Sequence, residues 1–201
     1  MRVKILFFLA IFAVCTHTMA QNTDTTDIGV VINGIKWATR NVDKPKTFAA
    51  NPEETGMFYQ WNSDIAWSAT DLMINSNGGT EWEQFYSAGW KVTNNVCPVG
   101  WRLPTHIEIE TLLEKDKVIG EWIAHKGCKF TDKTTNNSLF LSAAGFRDKN
   151  GKLYLREYCG IYRGSTRGNS ADAYSMYFNY LGQYGYGANV SESFSVRCVA
   201  E

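Results

Sequence analysis

The chain is 201 residues long, with 20 lysines and arginines against 20 aspartates and glutamates, and so carries no formal net charge. No basic run breaks that balance, which argues against a nucleic-acid partner, since nucleic-acid binding leaves a basic face. Aromatic residues at 14% and 17 glycines suit short strands joined by tight turns better than a helical bundle, in one domain or two small ones.

The first twenty residues read as a signal peptide. Met1-Arg2-Val3-Lys4 is a basic start, Ile5 to Val14 is apolar, and Thr18-Met19-Ala20 ends on a small residue. Cleavage after Ala20 leaves a protein beginning at Gln21. The apolar run is shorter than the ~20 residues a bilayer requires, so no transmembrane segment is expected. The expected location is outside the cytoplasm, either secreted or associated with the outer membrane or cell surface. Cys15 raises a second reading, a lipoprotein anchored at that cysteine, but Phe12-Ala13-Val14 before it fits a lipobox poorly.

Residues 21–27 are polar and patternless, and are expected to be a flexible leader. The fold is expected over 28–201 as one domain. Val30-Val31-Ile32, Asn33-Gly34 and Ile35-Lys36-Trp37 read as a hairpin, because Asn-Gly supplies the two positive-φ residues of a type I′ turn. Gly56 to Trp61 is a second, aromatic strand, and Ser76-Asn77-Gly78-Gly79 a turn. Thr105 and Glu108 make a capping box ahead of Ile109, Leu112 and Leu113, which predicts a helix ending near Asp116. From Tyr174 to Tyr180 one parity carries Tyr174, Met176, Phe178 and Tyr180, the other Ser175, Tyr177 and Asn179, which predicts a strand with one buried face. The last strand repeats the rule, with Phe194, Val196 and Cys198 on one side and Ser195 and Arg197 on the other. No repeat of solenoid or propeller length is present.

Without the signal peptide, four cysteines remain: Cys97, Cys128, Cys159 and Cys198. An even number in an exported chain reads as two disulfides. No C-x-x-C pair points to zinc or to a thioredoxin-like site. Spacing leaves three connectivities open, of which the nested one, Cys97–Cys198 with Cys128–Cys159, is favoured.

Cys97-Pro98-Val99-Gly100-Trp101-Arg102-Leu103-Pro104-Thr105 followed by a helix, and Phe194-Ser195-Val196-Arg197-Cys198-Val199 at the end, resemble the central and closing motifs of the Fibrobacter succinogenes major paralogous domain family. Trp37 with Asn41, and Tyr59 with Trp61, fit its early pattern. Gly160-Ile161-Tyr162-Arg163-Gly164-Ser165-Thr166 lies where that family carries a Trp-Ser-Ser-Thr-like turn, and departs from it at Arg163-Gly164. The family is similar in pattern to C-type-lectin-like domains and to the formylglycine-generating enzyme fold. The resemblance implies an α+β fold of small twisted antiparallel sheets, one or two helices and long loops, stapled by disulfides. It implies in particular a Cys97–Cys198 bridge from the helix region to the final strand. It carries fold and location more than chemistry.

Enzymatic signals are weak. His106 and His125 are the only histidines beyond the signal peptide, no Gly-x-Ser-x-Gly elbow occurs, and Glu108 is explained by capping. Glu110 belongs to a solvated helix face, and Glu53 and Glu54 are adjacent in a loop and point apart, so no carboxylate pair spans a cleft. Oxidase chemistry of the formylglycine-generating kind needs a reactive cysteine pair, whereas these cysteines suit structural bridges. The Glu-Pro-Asn, Gln-Pro-Asp and Trp-Asn-Asp tripeptides of calcium-dependent lectins are absent, and no metal or cofactor is expected.

A binding surface has more support. Between Tyr158 and Ser193, tyrosines and asparagines alternate with glycines at 182, 185 and 187, a composition that suits adaptable recognition loops. The candidate ligand residues are Tyr162, Arg163, Tyr177, Asn179, Tyr184, Tyr186 and Asn189. Tyr174 and Tyr180 fall on the apolar parity and are expected in the core, as are Trp37, Trp61, Trp82, Trp90, Trp101 and Trp122. The expected function is a non-catalytic binding domain at the cell envelope, recognising a glycan or a surface protein. The alternatives are a structural component of the envelope without a ligand pocket, and a cryptic hydrolase.

Overall fold

The computed structural model describes residues 26–201 except 88, 90 and 170. The expected signal peptide with Cys15, residues 21–25 and Trp90 lie outside the described residues. The leader expectation is corrected at its end. Asp27 is fixed, its carboxylate accepting from Gly29 N (2.8 Å), Thr39 N (3.0 Å) and Thr39 Oγ1 (2.9 Å) and pairing with Arg40 Nε at 3.4 Å.

Strands β1 (Val30–Ile32) and β2 (Ile35–Trp37) form the expected hairpin, with Asn33 and Gly34 at φ 45° and 81°. Strand β3 (Met57–Gln60) pairs antiparallel with β4 (Ala66–Ser68). Strand β5 (Trp101–Arg102) leads into α1 (His106–Leu113). Both halves of the capping box are present: Glu108 N donates to Thr105 Oγ1 (3.3 Å) and Thr105 N to Glu108 Oε2 (2.7 Å). Arg102 adds a fork, its Nη1 and Nη2 donating to the two Glu108 oxygens at 2.8 and 2.6 Å.

Helix α1 stops at Leu113, short of the expected Asp116. Glu114 is extended, and Asn33 Nδ2 at the hairpin tip donates to Thr111 O at 2.8 Å, taking an acceptor that another helical turn would need. Asn33 N also donates to Asp132 Oδ2 at 2.7 Å, so the hairpin tip joins helix and sheet.

Strands β6 (Val118–Ile123), β7 (Gly127–Asp132) and β8 (Ser138–Ser142) form a three-stranded antiparallel sheet. A short pair, β9 (Phe146–Arg147) and β10 (Leu153–Tyr154), precedes a second three-stranded antiparallel sheet of β11 (Gly160–Arg167), β12 (Asp172–Asn179) and β13 (Gly182–Asn189). Strands β14 (Ser193–Phe194) and β15 (Val199–Ala200) close two further sheets, ordered β10-β9-β14-β3-β4 and β1-β2-β15-β5. The architecture is α+β: small antiparallel sheets around a single α-helix among the described residues. No described helix is long and apolar enough to cross a membrane.

The largest core cluster lies where α1 meets both three-stranded sheets, and includes Ile109, Leu112, Phe130, Leu141, Met176 and Phe178. Trp37, Trp61 and Trp101 are buried as expected, and Trp67 joins them. Trp82 and Trp122 are only half-buried.

Cys97 and Cys198 are bridged, with Cα atoms 6.1 Å apart and a sequence separation of 101. The alternation expected of the final segment does not survive: Ser195 and Arg197 are buried along with Phe194, Val196 and Cys198. The segment runs through the middle of the molecule. Ser195 exchanges backbone bonds with Ile161 and Arg163 on one side, and on the other Val42 N donates to Val196 O and Ala38 N to Cys198 O. The buried Arg197 guanidinium is held by internal acceptors, whereas the Ser195 hydroxyl is buried without a hydrogen-bond partner among the described residues. Arg197 Nε donates to Asn41 Oδ1 (2.9 Å), and Asn41 Nδ2 lies within reach of Ser142 Oγ (3.1 Å) and Tyr162 Oη (3.2 Å).

Candidate functional site

Strands β12 and β13 are joined by the two-residue turn Tyr180-Leu181 and pair along their full length, Tyr177 opposite Tyr184 and Ser175 opposite Tyr186. Glycines 182, 185 and 187 are therefore strand residues, not the loop expected. One of them has a steric reason. A Cβ on Gly185 would stand 1.7 Å from Tyr174 Oη. Across the sheet a Cβ on Gly160 would stand 2.1 Å from the Phe178 ring. Glycine lets large side chains of β12 lie down on the neighbouring strands.

The period of two then divides the candidates. Tyr174, Met176 and Phe178 face α1 and the main core. Tyr177 faces the other way, and so do its cross-strand neighbours. The Tyr177, Tyr184 and Tyr186 rings form one group, with centroids 5.1 Å apart for Tyr177–Tyr184 and 6.2 Å for the other two pairs. Exposure is graded across it: Tyr184 is 53% exposed, and Tyr177 and Tyr186 are half-buried. Burial raises the pKa of both half-buried phenols, so these two stay neutral hydrogen-bonding groups near pH 7.

The asparagines serve turns. Asn179 Nδ2 donates to Tyr177 Oη (3.0 Å) while its Oδ1 accepts from Leu181 N (2.8 Å). Asn189 Oδ1 accepts from Ser191 N at 2.9 Å, and the side chain is exposed.

Tyr162 and Arg163 are corrected: both are buried and present no face to a ligand. Tyr162 faces the core and stacks on Phe178 at 5.8 Å. Arg163 lies under the tyrosine group, its guanidinium 3.9 Å from the centre of the Phe194 ring and donating to Asn189 O (3.1 Å), Glu192 O (2.6 Å) and Ser175 Oγ (3.3 Å). Burial pulls it down to about 9, so it remains a cation at neutral pH, held by carbonyl dipoles and a ring face. It fixes the turn after β13 and is a positioning residue for the outer face. Tyr180, expected in the core, is 70% exposed because it sits in the turn beyond the last strand pair.

The expected Cys128–Cys159 bridge is also corrected: both are free, buried thiols. The β11–β12–β13 sheet stands between them. Cys128 belongs to the core on the Phe178 side, with Gln183 Nε2 3.7 Å from its sulfur, while Cys159 packs with Ile161 and Tyr177 on the opposite face. Burial pushes Cys128 up to about 12 and Cys159 up to about 11, so neither is a thiolate nucleophile.

His106 and His125 are exposed and engage rings, His106 against Tyr174 at 5.6 Å and His125 against Tyr158 at 5.7 Å. The described residues contain no cluster of three histidine, cysteine or carboxylate groups placed to hold a metal ion.

The chain matches no protein-family model, no curated protein and no solved structure.

Sequence reading passed over one further concavity. The 50–55 loop stands beside the outer face of the β6–β7–β8 sheet, and the cleft between them measures about 740 Å³. Its lining comes from four separate segments, with Thr39, Asn51 to Glu53, Ile123 with Lys126 and Lys129, and Ser138 to Phe140 all contributing.

Proposed function

We propose that this protein is an exported, non-catalytic binding domain of C-type-lectin-like architecture, related to the Fibrobacter succinogenes major paralogous domain, that recognises a glycan at the cell envelope. The reading rests on one observation: the Tyr177, Tyr184 and Tyr186 rings share one face of the β12–β13 pair, with Tyr184 open to solvent. Aromatic ring faces carry negative charge density that attracts the polarised C–H groups on the apolar side of a sugar, and phenol hydroxyls read sugar hydroxyls. The strand pair holds the rings in place before a ligand arrives, which lowers the entropy cost of binding. The Cys97–Cys198 bridge supports an oxidising compartment.

A glycan array tests this directly. The expected result is a signal that persists in EDTA and falls about tenfold in Tyr184→Ala, the loss of one desolvated aromatic contact. A blank array, a signal abolished by EDTA, or wild-type binding by both Tyr184→Ala and Tyr186→Ala would sink the proposal.

A further inference from the structure

The cleft beside the 50–55 loop differs in chemistry from the tyrosine face, and none of those tyrosines lines it. Its volume of about 740 Å³ falls in the range of small-ligand sites. A smaller hollow of about 210 Å³ continues it, sharing Glu53, Lys126 and Phe140 and adding His125 and Arg156.

One wall is rigid. Glu54 turns its carboxylate back into the loop, accepting from Ala50 N (3.0 Å) and Asn51 Nδ2 (2.8 Å), and Asn51 Oδ1 accepts from Glu53 N and Glu54 N at 3.1 Å. The Glu54 and Thr55 carbonyls accept from Asn41 Nδ2, which ties the wall to the buried Arg197 network. Of the two adjacent carboxylates, therefore, Glu53 is the one left to line the cleft.

The opposite side is cationic and apolar. Lys126 and Lys129 make no ion pair among the described residues, and Arg156 in the adjoining hollow makes none either. Phe140 is half-buried and stands directly across the strand pair from Lys129, with Ile123 beside them in the cleft. Exposed lysines on a protein surface are ordinary, but here they flank an aromatic ring inside a preformed cleft whose far wall offers an amide and a carboxylate.

We propose that this cleft binds a carboxylate-bearing sugar, such as a uronic acid unit of an acidic polysaccharide. The sugar carboxylate would meet Lys126 and Lys129, its apolar ring face would cover Phe140, and its hydroxyls would be read by the Glu53 carboxylate and the second Nδ2 hydrogen of Asn51. A neutral sugar leaves the cations unmatched, and an acidic peptide leaves the ring and the hydroxyl readers unused. The site stands independently of the tyrosine face.

The test is titration of the ¹⁵N-labelled protein, beginning at Gln21, with trigalacturonate, maltotriose and tetraglutamate. Trigalacturonate is expected to shift the amides of 50–54, 123–129 and 138–140, to weaken at high salt, and to bind at least about tenfold more tightly than either comparator, the scale of one charged hydrogen bond. Lys126→Gln with Lys129→Gln, a surface change that leaves the core intact, is expected to remove that preference. Equal affinity for tetraglutamate, shifts confined to other residues, no saturation by trigalacturonate, or wild-type affinity in the double variant would each overturn it.

Discussion

The two faces of the β11–β12–β13 sheet are built from alternate residues of the same strands, yet they are different materials. The inner face, with Tyr162, Met176 and Phe178, is sealed by α1 and the β6–β7–β8 sheet. The outer face is only partly roofed by Phe146 and Phe194, and its tyrosines grade from half-buried Tyr177 and Tyr186 to open Tyr184. Tyrosine serves both. Tyr162 satisfies its hydroxyl inside, donating to Ser142 O at 3.2 Å, and stacks on Phe178, whereas Tyr184 leaves more than half its surface in water. Residue type therefore says little about role here, and the direction of the Cβ atom says nearly everything.

The contrast can be broken or sharpened by substitution. The largest effect belongs to the inner face. Phe178→Ala empties a site packed against Phe130, Tyr162 and the bare backbone of Gly160, and is expected to cost about 3–5 kcal/mol in urea denaturation. A cost below about 1 kcal/mol would mean that the inner face is as loose as the outer.

Next comes the helix that seals it. Burial raises the pKa of Glu108, but the Arg102 fork and the Thr105 amide and hydroxyl outweigh it, and the net shift is downward. A lowered carboxyl contributes stability above its unfolded pKa and loses it as pH falls toward the native value. Glu108→Gln is thus expected to cost about 1 kcal/mol at pH 7. The cost should shrink as pH drops below about 4.3, the ordinary value for glutamate. Thermal melts of both proteins across that range give the comparison.

The outer face is expected to be cheap to alter. Tyr186→Ala should cost about 1 kcal/mol through its half-buried contacts, and Tyr184→Ala less than about 0.5 kcal/mol. If Tyr184→Ala destabilised as strongly as Phe178→Ala, the outer face would be core and the display of rings would fail as an idea.

The smallest expected effect is none at all. In the protein beginning at Gln21, which lacks Cys15, Ellman's reagent should find no reactive thiol in the native state and two after unfolding without reductant, one from each face of the sheet. Finding none after unfolding would restore the second bridge and remove the sheet from between the two sulfurs.

What the sequence determined by itself was local. The Asn33-Gly34 turn and the Thr105–Glu108 capping box are set by hydrogen bonds and dihedral preferences that span a few residues, and both are present as read. The alternation from Tyr174 to Phe178 is equally local and equally visible. Tertiary structure decided which partners close over each element. Gly185 looked like loop because nothing in its own segment shows that Tyr174 will lie over it. Arg197 looked exposed because burial of its guanidinium depends on an acceptor, Asn41, more than a hundred residues away. Cys128 and Cys159 looked like a pair because counting cysteines cannot place a sheet between them. The cleft stayed hidden for the same reason. Its walls come from segments far apart in the chain, and only packing brings Glu53, Lys126 and Phe140 to one place.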